Sequence, residues 1–176
     1  MNNVDNEKLL DKSTVVDRYT AYESLSDDIR EYSERVAHNS QLLFKEVVKM
    51  GAYPDYTDLN KDNIKFIGEA VKYFDIGYAF KDDSRFPEKV LPIYHVNVGA
   101  DIFFADIKTR EDFKALTSTE KFIRRIAKEV TTYHHEKWNG KGFPMGLRME
   151  EIPTIVIPTI VTTTPVQSTG FSFLWR

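Results

Sequence analysis

Four stretches of this chain repeat apolar residues every three to four positions, the spacing that covers one face of a helix. They are Ile29, Val36, Leu43 and Val47; Ile64, Ile67 and Val71, continuing to Phe74 or Asp75; Leu91, His95, Val98 and Ile102; and Ile123, Ile126, Val130 and His134. Such stripes are stable only when buried against one another, so the chain reads as an all-α bundle. The spacing predicts helices over about 26–50, 61–75, 89–105 and 117–136. Gly51 stops the first, Gly77 suits the C-terminal cap of the second, and Thr117 with Glu120 opens the fourth as a capping box. Residues 51–60, with Pro54, and the charged run 81–88 read as loops.

The two ends differ from this pattern. Residues 1–15 read as a flexible lead-in, and 16–153 as the helical domain. Beyond Ile152-Pro153 the chain is rich in Thr, Ile and Val and is broken by Pro158 and Pro165. That composition disfavours a helix and predicts an irregular or extended tail over 154–176.

Composition narrows the chemistry. A length of 176 residues is enough for one domain with a substantial core. There is no cysteine, which removes disulfides, thiolate zinc sites and cysteine nucleophiles and leaves nitrogen and oxygen as the only metal donors. A net charge of −3 offers no basic field for duplex nucleic acid. The polar, acidic N-terminus is not a secretory signal, and no apolar run approaches the ~18 residues of a membrane span. A cytoplasmic protein without membrane contact is the expectation.

The chain contains four histidines, His38, His95, His134 and His135. Each lies at or near the inner stripe of a helical segment. Glu34 precedes His38 by one helical turn, which projects the carboxylate and imidazole from one face. Imidazole is the commonest ligand for borderline metals and titrates near neutral pH. A single histidine on an apolar stripe can be a core residue bonded to backbone, and a pair at a helix end can be a cap that answers the helix dipole. Four at once, with Glu34 and Asp75, point to a held metal and hydrolytic chemistry. The glycine-rich stretch after His135 reads either as an ordinary turn or as part of a site.

Four motifs, in order, carry a resemblance: Glu34-Arg-Val-Ala-His38, Tyr73-Phe74-Asp75-Ile76-Gly77, His95-Val-Asn-Val-Gly99-Ala100, and His134-His135-Glu136-Lys-Trp138-Asn139-Gly140-Lys-Gly142-Phe143-Pro144-Met-Gly146-Leu147. Over about 26–153 the chain resembles the HD-GYP domains, the cyclic-dinucleotide phosphodiesterase branch of the HD metal-dependent phosphohydrolases. The resemblance implies an HD-domain-like helical bundle around two or three metal ions. It implies Glu34, His38, Asp75, His95, His134 and His135 as metal ligands, with Asp75 bridging and Asp75, His134 and His135 at the catalytic centre. Trp138, Asn139, Gly140, Gly142, Phe143 and Pro144 would line the substrate entrance.

The chain departs from the family at three places. Phe74 stands where the family has histidine, Tyr78 where it has lysine, and Thr162-Thr163-Thr164 where it has a late aspartate. The break after Ile152-Pro153 reads as a truncated or shifted version of a longer helical domain. The expected function is therefore a metal-dependent phosphohydrolase resembling cyclic di-GMP phosphodiesterases, using metal-activated hydroxide on a cyclic dinucleotide or other nucleotide, with impaired activity. One or two divalent ions of iron, manganese or zinc are the implied cofactor. The alternatives are a catalytically inactive metal- or nucleotide-binding regulatory module, and a purely structural helical domain with satisfied core histidines.

Overall fold

The computed structural model describes residues 17–51, 63–80, 91–105, 107 and 109–163. These form seven α-helices with short 3₁₀ turns and no strand among the described residues. The predicted lead-in, the run 81–88 and residues 164–176 lie outside them.

Helix α1 (Arg18–Glu23) starts at Asp17, whose carboxylate accepts from the Tyr19 and Thr20 amides. Helix α2 (Asp27–Lys49) follows from Ser26 to Met50, with Asp27 and Asp28 in its first turn and Lys49 in its last, each favourable to the helix dipole. Gly51 ends it in the left-handed region at φ 71°, as the sequence predicts. The inward face of α2 is Ser33, Val36, Ala37, Ser40 and Phe44.

The second predicted helix is broken. A 3₁₀ turn (Ile64–Phe66) leads into the short α3 (Ile67–Val71), a turn follows, and a second 3₁₀ segment spans Ile76–Phe80. The cause lies in i→i−3 bonding, from the amides of Phe74, Ile76 and Tyr78 to the carbonyls of Val71, Tyr73 and Asp75. Gly77 is not a C-cap. A β-carbon there would lie 2.0 Å from the His95 carbonyl oxygen and 2.7 Å from its Cα, so only glycine lets helix α4 (Leu91–Ile102) come this close.

Helix α5 (Arg110–Ala115) lies outside the four helices that the spacing predicts. It carries a full capping box between Thr109 and Asp112 but buries no residue, so it has no apolar stripe to reveal it. Helix α6 (Ser118–Tyr133) begins at Thr117, whose hydroxyl accepts from the Glu120 amide. The Glu120 carboxylate pairs with Arg18 and with Arg124, tying α1 to α6. The inner stripe of α6 includes Ile123, Ile126 and Val130, as expected.

The extended tail is also corrected. Residues 154–156 form a 3₁₀ turn and Ile157–Thr163 form helix α7. Pro158 falls in the first turn, where its missing N–H costs no internal bond. The hydroxyls of Thr162 and Thr163 donate to the carbonyls of Thr159 and Ile160. Ile155, Val156, Pro158 and Thr159 are buried, and Thr162 shares a 2.9 Å hydrogen bond with Ser40 on α2. Burial against α2 and α6 thus overrides the weak helix propensity of β-branched residues.

Helices α2, α3, α4 and α6 enclose one core, with Tyr73 edge-on to Tyr22 at 5.3 Å and to Phe103 at 5.4 Å. No helix among the described residues is long and apolar enough to cross a membrane.

The Gly77 contact supplies a test. Gly77→Ala should cost about 3 kcal/mol by overpacking against backbone that cannot move aside. A scanning calorimeter would register this as a fall of roughly 9 °C in the unfolding midpoint.

Candidate metal centre

Four side chains converge where α4, the C-terminal end of α6 and the turn before the Ile76–Phe80 segment meet. They are Asp75, His95, His134 and His135, with ligand atoms all within 4.8 Å of one another. His95 projects from α4 and is fully buried. His134 is the C-cap of α6, His135 follows it half-buried, and Asp75 sits in the tight turn after α3.

The separations are regular. Asp75 Oδ1 lies 3.4 Å from His95 Nε2 and 3.3 Å from His134 Nε2. His95 Nε2 lies 3.4 Å from His134 Nε2 and 3.2 Å from His135 Nε2. A tetrahedral ion with bonds near 2.0–2.1 Å puts its donors about 3.3 Å apart, and these four separations match that spacing.

The hydrogen bonding points the same way. His134 Nδ1 lies 3.1 Å from the Val130 carbonyl and 3.0 Å from that of Thr131. Carbonyl oxygens only accept, so Nδ1 carries the proton and Nε2 presents a lone pair to the cluster. That lone pair faces the Asp75 carboxylate, an arrangement of two acceptors that asks for a cation between them.

Aromatic rings hold each imidazole. Tyr78 stacks on His95 with centroids 4.4 Å apart, and Phe143 on His135 at 4.5 Å. Phe74, 2% exposed, meets His134 edge-on at 5.0 Å. Burial first, then the charges of His134 and His95, push the His135 imidazole down to about 3.

Glu34 and His38 do not join the group. Each is one residue past an inward position of α2 (Ser33, Ala37), a rotation of about 100° away from the core. Both are exposed, and Glu34 accepts from the Tyr22 hydroxyl at 3.5 Å on the α1 side. The α2 residue that reaches the centre is Tyr32, which packs edge-on to Phe74 at 5.8 Å and donates to the Thr163 carbonyl at 3.1 Å. Nothing in the apolar pattern distinguishes Tyr32 beforehand.

The stretch after His135 is a tight loop organised by Glu136. This carboxylate, 1% exposed, accepts from the amides of Met145 (2.7 Å), Gly146 (3.1 Å) and Leu147 (2.9 Å). A β-carbon on Gly142 would fall 2.4 Å from Glu136 Cα, and Gly140 takes φ 72°. Asn139 bridges to Arg148, and its side chain accepts from the Lys141 amide. Trp138 is 44% exposed, Phe143 and Pro144 are half-buried, and none of the residues 138–144 lines the cleft beside the centre. Sequence reasoning assigned Glu136 no role; its place beside the paired histidines and before the glycines was the available signal.

A cleft of about 370 Å³ opens on the centre, bounded by Tyr32, Phe74, Ile160 and Thr163 on one side and by 134–137 on the other. A larger cleft of about 720 Å³, along α5 and α6, carries Lys121, Arg125 and Lys128 but none of the four donors.

Comparison with known proteins yields short local similarities. The chain is 54% identical over 28 residues to the "Probable cyclic di-GMP phosphodiesterase" of Vibrio cholerae, 16% of this chain and 6% of that protein. It is 39% identical over 41 residues to the "Cyclic di-GMP phosphodiesterase" of Thermotoga maritima, 23% of this chain and 11% of that one. A third match, to the "3'3'-cGAMP-specific phosphodiesterase 2" of Vibrio cholerae, is 40% identical over 38 residues, 22% of this chain and 7% of the relative. The matched segments are thus a small part of each relative's length. No family model matches the chain.

Two outcomes follow from this geometry. Glu136→Ala should cost about 3 kcal/mol, through three lost charge-assisted bonds and three stranded amides, and should speed amide hydrogen exchange at 145–147. The unfolded chain protonates His135 below about pH 6.5, whereas the folded chain resists this until about pH 3. Metal-free protein should therefore lose stability as pH falls between those values, and His135→Gln should flatten that dependence in urea titrations.

Proposed function

We propose that the chain is a metal-dependent phosphohydrolase of the HD-GYP kind, acting on a phosphodiester of a cyclic dinucleotide or another nucleotide with reduced activity. The observation that carries this reading is the convergence of Asp75, His95, His134 and His135, with ligand atoms all within 4.8 Å of one another and four of their separations at 3.2–3.4 Å. The names of the three partly similar proteins supply the substrate class.

In this reading the four residues hold the ion, and Glu34 and His38 take no part because they face away from it. Nitrogen and oxygen donors of this kind would suit iron, manganese or zinc. A bound ion supplies electrophilic stabilisation of phosphoryl oxygens and activation of water. Asp75 offsets its charge, and the proton on His134 Nδ1 fixes the ring that presents Nε2. His95 forms the floor, while Asp75, His134 and His135 face the cleft through which a phosphoryl group enters. Phe143 shields His135, and exposed Trp138 offers a face to a nucleobase. Asn139, Gly140, Gly142 and Pro144 shape the loop that carries both aromatics.

A second reading, a catalytically silent module that binds metal or nucleotide, is favoured by Phe74. Its buried ring fills the wall beside His134, and the Thr162 and Thr163 hydroxyls are bonded within the fold. A single ion cannot clamp both the attacking and the leaving oxygen as a pair does.

Elemental analysis of untagged protein, followed by a cyclic di-GMP turnover assay, separates these readings. The expected result is one equivalent of zinc, iron or manganese per chain, lost in the His134→Gln/His135→Gln double variant, with slow release of linear product. A full ion complement without turnover selects the silent module. Near-zero metal after anaerobic reconstitution sinks both.

A further inference from the structure

We infer that Lys137 is the anion anchor of the cleft, holding the phosphoryl group of a bound nucleotide together with the Asp75/His95/His134/His135 centre. The inference rests on the reading of that centre as a metal site, and it concerns a residue to which no role has been assigned.

The cleft wall is short of cations. Its boundary among the described residues comprises Tyr32, Phe74, Asp75, Ile160, Thr163 and the run 134–137, in which Lys137 is the one lysine or arginine. The other polar groups of the wall are already engaged. Asp75 faces His95 and His134, and the Glu136 carboxylate is taken by three amides. The Thr163 hydroxyl donates to the Ile160 carbonyl, and the Tyr32 hydroxyl to the carbonyl of Thr163. Tyr78, behind the centre, lies flat on His95 and does not bound the cleft.

Lys137 differs from these. It is exposed, and its ammonium has no carboxylate partner among the described residues, although the acidic Glu136 is its neighbour in sequence. Glu136 points into the loop and satisfies the amides there, which leaves the Lys137 charge uncompensated at the mouth. A phosphodiester carries one negative charge, and a terminal phosphoryl group between one and two, near neutral pH. An ion at the floor meets part of that charge, and a flexible ammonium at the rim is the compact point charge suited to the remainder. The cleft volume of about 370 Å³ lies near the small end of the roughly 300–1,000 Å³ typical of ligand sites. It suits a single nucleotide unit at the centre.

The test uses metal-loaded full-length protein and isothermal titration with inorganic phosphate and with guanosine 5′-monophosphate. Lys137→Met should weaken phosphate binding about tenfold while metal content and unfolding midpoint stay at wild-type values, and Lys137→Arg should retain most of the affinity. Tighter binding of the nucleotide than of phosphate, with the same loss in Lys137→Met, supports a nucleotide as the source of the phosphoryl group. Wild-type affinity for both probes in Lys137→Met overturns the inference and leaves the metal reading standing. Wild-type protein that holds no ion overturns the metal reading, and the inference with it.

Discussion

Helix α4 rests the His95 carbonyl where a β-carbon at position 77 would stand, and the geometry of the centre follows from that approach. The neighbouring Gly99 is equally confined, with a β-carbon there falling 2.5 Å from Thr131 Cγ2 on α6 and 3.2 Å from the Gly77 amide nitrogen. Two glycines thus let α4 slide between the 3₁₀ segment and α6 with almost no side chain in the way. The gain is positional: His95, four residues before Gly99, reaches Asp75 on one side and His134 on the other. A core packed at organic-crystal density transmits such constraints because it has no slack to absorb them.

The centre itself runs against the usual economy of a core. Three imidazoles and a carboxylate, largely removed from water, turn acceptors toward one point, and a protein without a cation there carries that repulsion uncompensated. Local rules of polarity matching are commonly broken at functional sites, with support supplied from around them. Here the support is aromatic: Tyr78, Phe143 and Phe74 each press on a different histidine. Rings that pack imidazoles cannot coordinate, so the wall that steadies the donors also limits how many ions can gather.

Much of this was legible in the residues. The long helices α2 and α6, the Thr117 cap and the Gly51 stop follow from periodicity and capping chemistry, and His95 and His134 declare themselves by lying on apolar stripes. On α2 Val36 is buried and Ile29 and Val47 pack against the core, in line with the apolar spacing, while the inner face is completed by Ser33, Ala37 and Ser40, small residues that let α7 and α3 come close. A count of large apolar residues instead favours Leu43, which is 37% exposed. Glu34 and His38 enter the expected ligand set through the resemblance, and their exposed positions on α2 hold them apart from the four residues that converge. Helix α5 has no buried face to announce it, and α7 is built of residues whose preference for strands is overruled by burial. The breaks around α3 depend on how closely α4 approaches, a tertiary fact that no local window contains.

The loop after the paired histidines holds a consequence of its own. Three successive amides, those of Met145, Gly146 and Leu147, converge on one side, the kind of concavity that elsewhere captures phosphate or sulfate. Here Glu136 fills it from within, as a tethered counterfeit of the anion such a cradle would otherwise recruit from solution. The protein has thereby closed one berth for negative charge beside its centre. An anion that approaches the centre must find its donors elsewhere, because this cradle is already occupied.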